Sequence, residues 1–187
     1  MPRLKAVTTS DATGKARELL EGVEKKLGMA PNIMRTMANS PAVLEAYLAF
    51  NSALAKGSLS AKIREQIALA VGEASQCKYC LAAHTALGKM AGLSEAEIAD
   101  SRRGASSNGK TQAALGFARK VVRERGWVGD DDVATLRSAG FDDGGIAEIV
   151  ATVAVNIFTN YLNHVSETEV DFPEVSELQA SAACACA

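Results

Sequence analysis

Three reactive side chains, Cys77, Cys80 and His84, occur within the short segment Gln-Cys-Lys-Tyr-Cys-Leu-Ala-Ala-His. On a helix, spacings of i, i+3 and i+7 bring all three side chains to one face. Two thiols with an imidazole one turn away supply a nucleophile, a second thiol that can close a disulfide, and a base. The segment therefore predicts thiol redox chemistry.

The thiol pair is expected at the start of a helix. We predict that the preceding helix ends near Gln76, so that Cys77 lies where free N–H groups and the positive end of the helix dipole favour a thiolate. Within a regular helix, Cβ atoms three residues apart are about 5–6 Å apart, whereas a disulfide requires about 3.5–4.5 Å. A Cys77–Cys80 bridge is therefore expected to be reducible. The spacing leaves the attacking thiol open, because Cys77 is nearer the helix end and Cys80 is one turn from His84.

Two carboxylates compete for the place behind His84. Glu73 is closer in sequence, but it falls on a polar edge of its predicted helix beside Gln66. Glu65 belongs to a helix with apolar residues on both sides, where a carboxylate needs a partner. We therefore favour Glu65 as the residue that assists His84.

Two other interpretations of the cysteine pair remain open. Cys77, Cys80 and His84, with a Glu, could supply zinc ligands, although no second Cys-x-x-Cys or His pair occurs at finger spacing. The cysteines could also be inert residues of the core beside a surface histidine. The other two cysteines, Cys184 and Cys186, lie in an Ala-rich tail, so the chain lacks the disulfide framework of a small secreted domain.

Composition indicates a single all-α domain of many helices. The chain has 187 residues, a net charge of -2 and 5% aromatic residues, with no basic run of the kind that binds nucleic acid. It has no apolar leader and no uninterrupted apolar run of about 18 residues, so we expect a cytoplasmic protein that is not in a membrane. We predict a domain over residues 1–172 and a loose tail over 173–187.

Helix caps and breakers predict the individual elements. Ser60 caps one helix, Ser94 and Glu97 form a Ser-x-x-Glu capping box, and Asp142 or Asp143 opens the last long helix. The predicted helices cover 12–27, a short stretch after 31, 41–56, 61–75, 77–91, 95–103, 111–125, 130–138 and 145–165.

The spacing of Glu65, Cys77, Cys80 and His84 resembles the alkyl hydroperoxidase D and carboxymuconolactone decarboxylase superfamily of small all-helical antioxidant proteins. The ending from Asn163 to residue 173 is similar to its peroxidase-related branch. The resemblance covers roughly residues 30–175.

The resemblance implies an order of action and an assembly. It implies that Cys80 attacks the peroxide, that Cys77 resolves the sulfenic acid, and that His84 with Glu65 relays the proton. It also implies trimers or hexamers. Well-studied members carry a second histidine between the cysteines, where this chain has Tyr79, whose phenol is a poor base at neutral pH. The decarboxylase branch lacks the cysteine pair, which argues against lactone chemistry here.

The last predicted helix could complete a pocket. Asn156, Asn160, Asn163 and His164 interrupt its apolar pattern, and buried amides require hydrogen bonds. They either line a pocket or cap neighbouring helices. We include Asn160 and His164, together with Tyr79, as candidate pocket residues.

These observations predict a cysteine-dependent hydroperoxidase that needs no haem, flavin or metal. Its partners would be a hydroperoxide substrate, an external dithiol reductant and further copies of itself. The alternative from another class is a non-catalytic redox sensor or thiol–disulfide exchange module.

Overall fold

The computed structural model describes residues 1–178, which form helices and no strand. The helices are α1 (Gly14–Leu27), α2 (Asn32–Met37), α3 (Pro41–Leu54), α4 (Ala61–Ala74), α5 (Lys78–Met90), α6 (Glu95–Arg103), α7 (Gly109–Arg123), α8 (Asp130–Ser138) and α9 (Asp143–Ser166). The prediction of an all-α fold is confirmed.

The predicted caps form as the sequence indicates. The Ser60 hydroxyl accepts a hydrogen bond from the Ile63 N–H, and Ser94 and Glu97 form both bonds of a capping box. Asp142, rather than Asp143, caps α9. Helix α7 begins two residues before the predicted start, because the Asn108 side chain accepts from the backbone of the third residue of the helix.

Helix α4 is the centre of the molecule. It packs against α5, α6, α7 and α9, and every residue from Gln66 to Gly72 is buried. Its two apolar faces therefore face protein on both sides, as the sequence predicts. One face belongs to a core with α7 and α9 that includes Ile67, Leu115 and Ile149.

Helix α9 is long and apolar enough, by length and composition alone, to cross a membrane. It nevertheless packs against α3, α4, α5 and α7. A line of buried polar residues runs along its inner face, from Thr152 through Asn156, Thr159, Asn160 and Asn163 to Ser166. These features are typical of a core helix that carries polar groups to an internal site.

Residues 167–178 follow α9 without regular secondary structure. Phe172 and Val175 pack partly against two apolar clusters, and the Ser176 carbonyl accepts a hydrogen bond from the Arg102 guanidinium at 2.9 Å. The domain boundary after residue 172 stays a prediction. Most of the predicted loose tail, with Cys184 and Cys186, lies outside the described residues.

Glu148 on α9 holds the loop between α3 and α4. Its carboxylate accepts hydrogen bonds from the Ser58 and Leu59 N–H groups, each at 2.9 Å. The Ser58 bond is the main cause that lowers the pKa of Glu148. Gly57 allows this approach, because a Cβ there would lie 2.6 Å from the carboxylate.

We predict that Gly57→Ala and Glu148→Gln each destabilise the fold by about 1–2 kcal/mol, through the same two charge-assisted hydrogen bonds. Because the two changes disrupt one contact, the double variant should lose less stability than the sum of the single losses. The folded pKa of Glu148 is lowered, so its contribution is present above the unfolded pKa and disappears as the pH falls through the folded value. Urea unfolding at pH 7 and at about pH 3 measures both effects.

The matched control is Gly22→Ala on α1, where an added Cβ meets open space. A mid-helix glycine costs about 0.5–1 kcal/mol relative to alanine, so this change should stabilise the protein. If the losses of unfolding free energy for Gly57→Ala and Glu148→Gln were additive, the two changes would not act through one shared contact.

Candidate functional site

The junction of α4 and α5 positions the two cysteines. Helix α4 ends at Ala74, and Gln76 takes a left-handed conformation with φ of 54°. The Cys77 N–H then returns to the Gly72 carbonyl at 2.9 Å. Cys77 is thereby the N-cap of α5, and its sulfur accepts from the Cys80 N–H at 3.2 Å. The predicted helix break at Gln76 is confirmed.

Cys77 and Cys80 are joined by a disulfide, with their Cα atoms 5.3 Å apart. Both residues are almost inaccessible, at 1% and 3% exposure. They belong to an apolar cluster with Leu20, Met37 and Leu44. The sulfurs therefore lie in surroundings of low polarity. After reduction, a single hydrogen bond there would stabilise a thiolate more strongly than it does in water.

Asn163 supplies hydrogen bonds to these sulfurs from α9. Its Nδ2 lies 3.3 Å from the Cys80 sulfur and 3.9 Å from the Cys77 sulfur. The Asn163 side chain is itself buried. The amide can therefore stabilise negative charge on either sulfur, and it is closer to that of Cys80.

His84 is paired with Glu65 across the α4–α5 contact. The His84 Nδ1 lies 2.8 Å from a Glu65 carboxylate oxygen, and the side chains are 19% and 22% exposed. This contact fixes the ring and leaves Nε2 to act on other groups. Glu73, the competing carboxylate, instead pairs with the buried Arg102 at 2.7 Å. The geometry thus places Glu65, rather than Glu73, behind His84.

Two cavities adjoin this pair. The apolar cavity has a volume of about 230 Å³ and is bounded by Cys80, His84, Asn163 and mainly aliphatic, methionine and aromatic side chains. The polar cavity has a volume of about 50 Å³ and contains Glu65, His84, Arg64 and amide and hydroxyl groups of α3 and α9. Cys80 borders the apolar cavity, whereas Cys77 borders neither. Of the two cysteines, Cys80 is therefore the one that adjoins a cavity.

Tyr79 has a structural contact at the position where the sequence resemblance implies a relay histidine. Its ring borders the apolar cavity. Its hydroxyl donates to Asp171 at 2.8 Å and accepts from the Ile33 N–H at 3.2 Å. Burial raises the pKa of the Tyr79 phenol far above its usual value, and Asp171 raises it further. Tyr79 therefore anchors the segment that follows α9 and does not exchange protons near neutral pH.

Tyr47 on α3 borders both cavities and was not anticipated from the sequence. Burial, and next the charge of Glu65, raise the pKa of Tyr47 to about 12. The phenol is therefore protonated at neutral pH and is available as a hydrogen-bond donor. A lone tyrosine on a helix of Ala, Leu and Phe is the only sequence signal for it.

The remaining predicted pocket residues are placed differently. Asn160 is fully buried, and neither polar atom of its amide has a hydrogen-bond partner within residues 1–178. It borders neither cavity. His164 is on the exposed side of α9 and also borders neither. Asn163, one turn from Asn160, is the amide that reaches the sulfurs.

Within residues 1–178, no group of three or more His, Cys, Asp and Glu side chains is arranged to hold a metal ion. Cys77 and Cys80 bond to each other, and His84 faces Glu65. The zinc interpretation therefore finds no ligand set in the described part of the chain.

Comparison with known proteins gives a consistent result. The model of the carboxymuconolactone decarboxylase family matches residues 41–124, which include the whole Glu65, Cys77, Cys80 and His84 set. No curated protein sequence matches. The chain is similar to the alkylhydroperoxidase AhpD core of a peroxidase-related protein from Ralstonia eutropha JMP134, with 26% identity over 91% of this chain and 92% of that one and a TM-score of 0.83.

Two further solved structures share the fold. A peroxidase-related protein from Silicibacter sp. TM1040 is 27% identical over 90% of this chain and 94% of that one, with a TM-score of 0.78. The debrominase Bmp8, in complex with 2,3,4-tribromopyrrole, is 20% identical over 90% and 91%, also with a TM-score of 0.78. The family match over residues 41–124 and the shared all-helical fold together support the alkyl hydroperoxidase D and carboxymuconolactone decarboxylase superfamily as the family of this chain.

Proposed function

We propose that the protein is a thiol-dependent hydroperoxidase in which Cys80 attacks and Cys77 resolves. The observation that carries the proposal is the position of Cys80, which forms a disulfide with Cys77, borders the apolar cavity and has its sulfur 3.3 Å from the Asn163 amide nitrogen. The peroxidase-related relatives at 26% and 27% identity support an antioxidant role.

The proposed reaction proceeds in three steps. The Cys80 thiolate bonds to one peroxide oxygen as the O–O bond breaks, and the other oxygen takes a proton and leaves as the alcohol. The Cys77 sulfur then attacks the sulfenic acid of Cys80, forming the disulfide and releasing water. An external dithiol reduces the disulfide by exchange, which returns both thiols.

The His84–Glu65 pair serves the proton transfers in this scheme. His84 borders the same cavity as Cys80 and is one turn away on α5, so it can take the thiol proton directly or through a water. Glu65, at 2.8 Å from Nδ1, holds the ring in its orientation for these transfers. A reducing cytoplasm would keep the cysteines available as thiols.

The roles of the two cysteines are tested by serine variants of the reduced protein with cumene hydroperoxide. Cys80→Ser should lower the rate of peroxide consumption by about a thousandfold or more, because the nucleophile is lost. Cys77→Ser should react once and stop at a sulfenic acid that dimedone labels at Cys80. Stopped-flow kinetics and peptide mass mapping measure both.

The control is the double variant Cys184→Ser/Cys186→Ser, which should turn over like the wild type. An unchanged rate for Cys80→Ser would contradict the proposed peroxidase. A wild type that exchanges disulfides with a dithiol partner but does not consume peroxide would favour the redox-module alternative.

A second prediction concerns Asn163, whose amide donates toward the Cys80 sulfur. A hydrogen bond to a charged group contributes about 1.5–3 kcal/mol, equivalent to roughly one to two units of pKa. Asn163→Ala should therefore raise the midpoint of the pH dependence of Cys80 alkylation by iodoacetamide by about one unit. Mass mapping of the Cys80 peptide provides the measurement.

Asn156→Ala is the matched control for Asn163→Ala. Asn156 is also a buried amide of α9, but its side chain donates to the Thr152 carbonyl in the same helix. This variant should leave the alkylation midpoint of Cys80 unchanged. Equal shifts in the two variants would show that loss of a buried amide, rather than the contact with sulfur, is the cause.

Reductive dehalogenation is a second candidate, favoured by the apolar cavity next to Cys80 and by the shared fold of the debrominase. In that reaction two thiols and a carbon–bromine bond would give a disulfide, a carbon–hydrogen bond and hydrogen bromide. Bromide release from 2,3,4-tribromopyrrole with no consumption of cumene hydroperoxide would favour it over the peroxidase.

We also propose that the chain associates with copies of itself through the outer faces of α3 and α9. Within α3 only Leu44 is buried. The stretch 149–166 contains no Asp, Glu, Lys or Arg. Large apolar side chains on these faces are exposed, including Val43, Phe50, Phe158, Tyr161 and Val165. An apolar surface of this kind is typical of an association site, and the family resemblance favours trimers or hexamers.

Light scattering after gel filtration tests the assembly. The wild type should have a mass that is a multiple of the 19.5 kDa chain. Val165→Glu, at a position 61% exposed, should shift the protein toward the monomer, because a charge cannot be buried cheaply at a contact. Trp127→Glu, at an 88% exposed position between α7 and α8, is the control and should not shift it. A monomeric wild type would contradict the proposal.

A further inference from the structure

Three side chains separate the two cavities at the site. Tyr47, His84 and Thr159 each border the apolar cavity, which Cys80 also borders, and the polar cavity, which Glu65 borders. They come from α3, α5 and α9 respectively. We call these three side chains the partition, since they are the ones placed to pass a proton between the two cavities.

Only some polar groups of the partition can donate a proton to a reacting molecule. The Thr159 hydroxyl donates to the Asn156 carbonyl of its own helix at 2.9 Å. His84 is engaged at Nδ1 by Glu65, and in the proposed function it takes the thiol proton. Tyr47 is the remaining hydroxyl group of the partition.

The other phenol near the cysteines cannot take this role. Tyr79 already donates to Asp171 and accepts from the Ile33 N–H. A donor to the leaving oxygen must exchange that bond for one to the substrate, which would leave Asp171 held by the Asn32 N–H at 2.7 Å without the phenol. Tyr47 borders the apolar cavity without such an anchor to a carboxylate.

We propose that Tyr47 is the catalytic acid that protonates the leaving oxygen of the hydroperoxide. This inference rests on the proposed hydroperoxidase function. The Cys80 thiolate supplies the electron pair of the new S–O bond, the O–O bond breaks, and its electron pair goes to the leaving oxygen. That oxygen takes the Tyr47 proton, and the proton that His84 received from the thiol returns to the tyrosinate. The sum is a thiol and a hydroperoxide giving a sulfenic acid and an alcohol.

The environment of Tyr47 suits this role. Burial and the nearby Glu65 carboxylate raise the pKa of Tyr47 to about 12, so the phenol keeps its proton at neutral pH. An alkoxide is a much stronger base than a phenolate, so the transfer becomes favourable only as the O–O bond breaks. Tyr47 therefore acts in the transition state and not on the resting thiolate.

The test compares Tyr47→Phe with the wild type on two peroxides that differ in the basicity of the leaving group. Cumene hydroperoxide leaves as an alkoxide and needs a proton, whereas 3-chloroperoxybenzoic acid leaves as a weakly basic carboxylate. General acid catalysis contributes about a hundredfold or more. Tyr47→Phe should lose about that factor in kcat/KM with cumene hydroperoxide and less than about threefold with the peroxyacid.

Trp127→Phe is the control, since Trp127 is 88% exposed between α7 and α8, borders neither cavity and is not on α3 or α9, and it should match the wild type with both peroxides. An equal loss of Tyr47→Phe with both peroxides, or no loss with either, would overturn the assignment of Tyr47. A wild type that reacts with neither peroxide would instead overturn the proposed function itself.

A second measurement applies if Tyr47→Phe does not fold. Site-specific 3,5-difluorotyrosine at position 47 keeps the shape of the side chain and gives a more acidic phenol. The rate with cumene hydroperoxide should then change relative to the peroxyacid rate, because only the first reaction uses the proton. An unchanged ratio of the two rates would overturn the proposal.

Discussion

The site depends on the way the chain turns between α4 and α5. Gln76 takes a left-handed backbone conformation that residues other than glycine rarely adopt. The Cys77 N–H then donates to the Gly72 carbonyl. This turn makes Cys77 the N-cap of a new helix and not an interior residue of a longer one. It also folds α5 back against α4, so that His84 contacts Glu65 across the helix pair. One local backbone conformation therefore positions both the cysteine pair and the histidine one turn away.

The site lies between an apolar and a polar environment. The sulfurs lie in an apolar core, where Asn163 is the amide that donates toward both of them. The Glu65 carboxylate is kept in a smaller polar cavity with Arg64. His84 borders both cavities and can connect them. In the proposed reaction, an apolar substrate would approach Cys80 through the apolar cavity, whereas Glu65 and Arg64 border the other cavity. In surroundings of low polarity, hydrogen bonds to the charge that develops in the transition state are stronger than in water.

Much of this arrangement can be predicted from local sequence. Helix caps such as Ser60 and Ser94 act within four residues, so the element boundaries follow from short-range rules. Glu65 could be preferred over Glu73 because helix α4 is apolar on both sides, a pattern that requires burial. The fold class followed from composition and from the spacing of glycines and prolines.

The contacts between distant helices could not be predicted in the same way. Tyr47 on α3 and Asn163 on α9 reach the site only because of how these helices pack and rotate, which one sequence does not specify. Three amides and a histidine occur close together on α9, and neighbouring positions face different surroundings: Asn163 faces the sulfurs, Asn160 is buried away from both cavities, and His164 is exposed. Successive residues of a helix are rotated by about 100° about its axis. Neighbouring positions of α9 can therefore face either the site or the solvent.

In the proposed reaction, the Cys77–Cys80 pair is oxidised by a hydroperoxide that enters beside Cys80. The most direct test is intact and peptide mass spectrometry of the fully reduced wild type after one equivalent of cumene hydroperoxide. We expect the loss of two hydrogens per chain, a Cys77–Cys80 disulfide and one equivalent of the alcohol. Unchanged thiols at Cys77 and Cys80, with the hydroperoxide recovered intact, would contradict it.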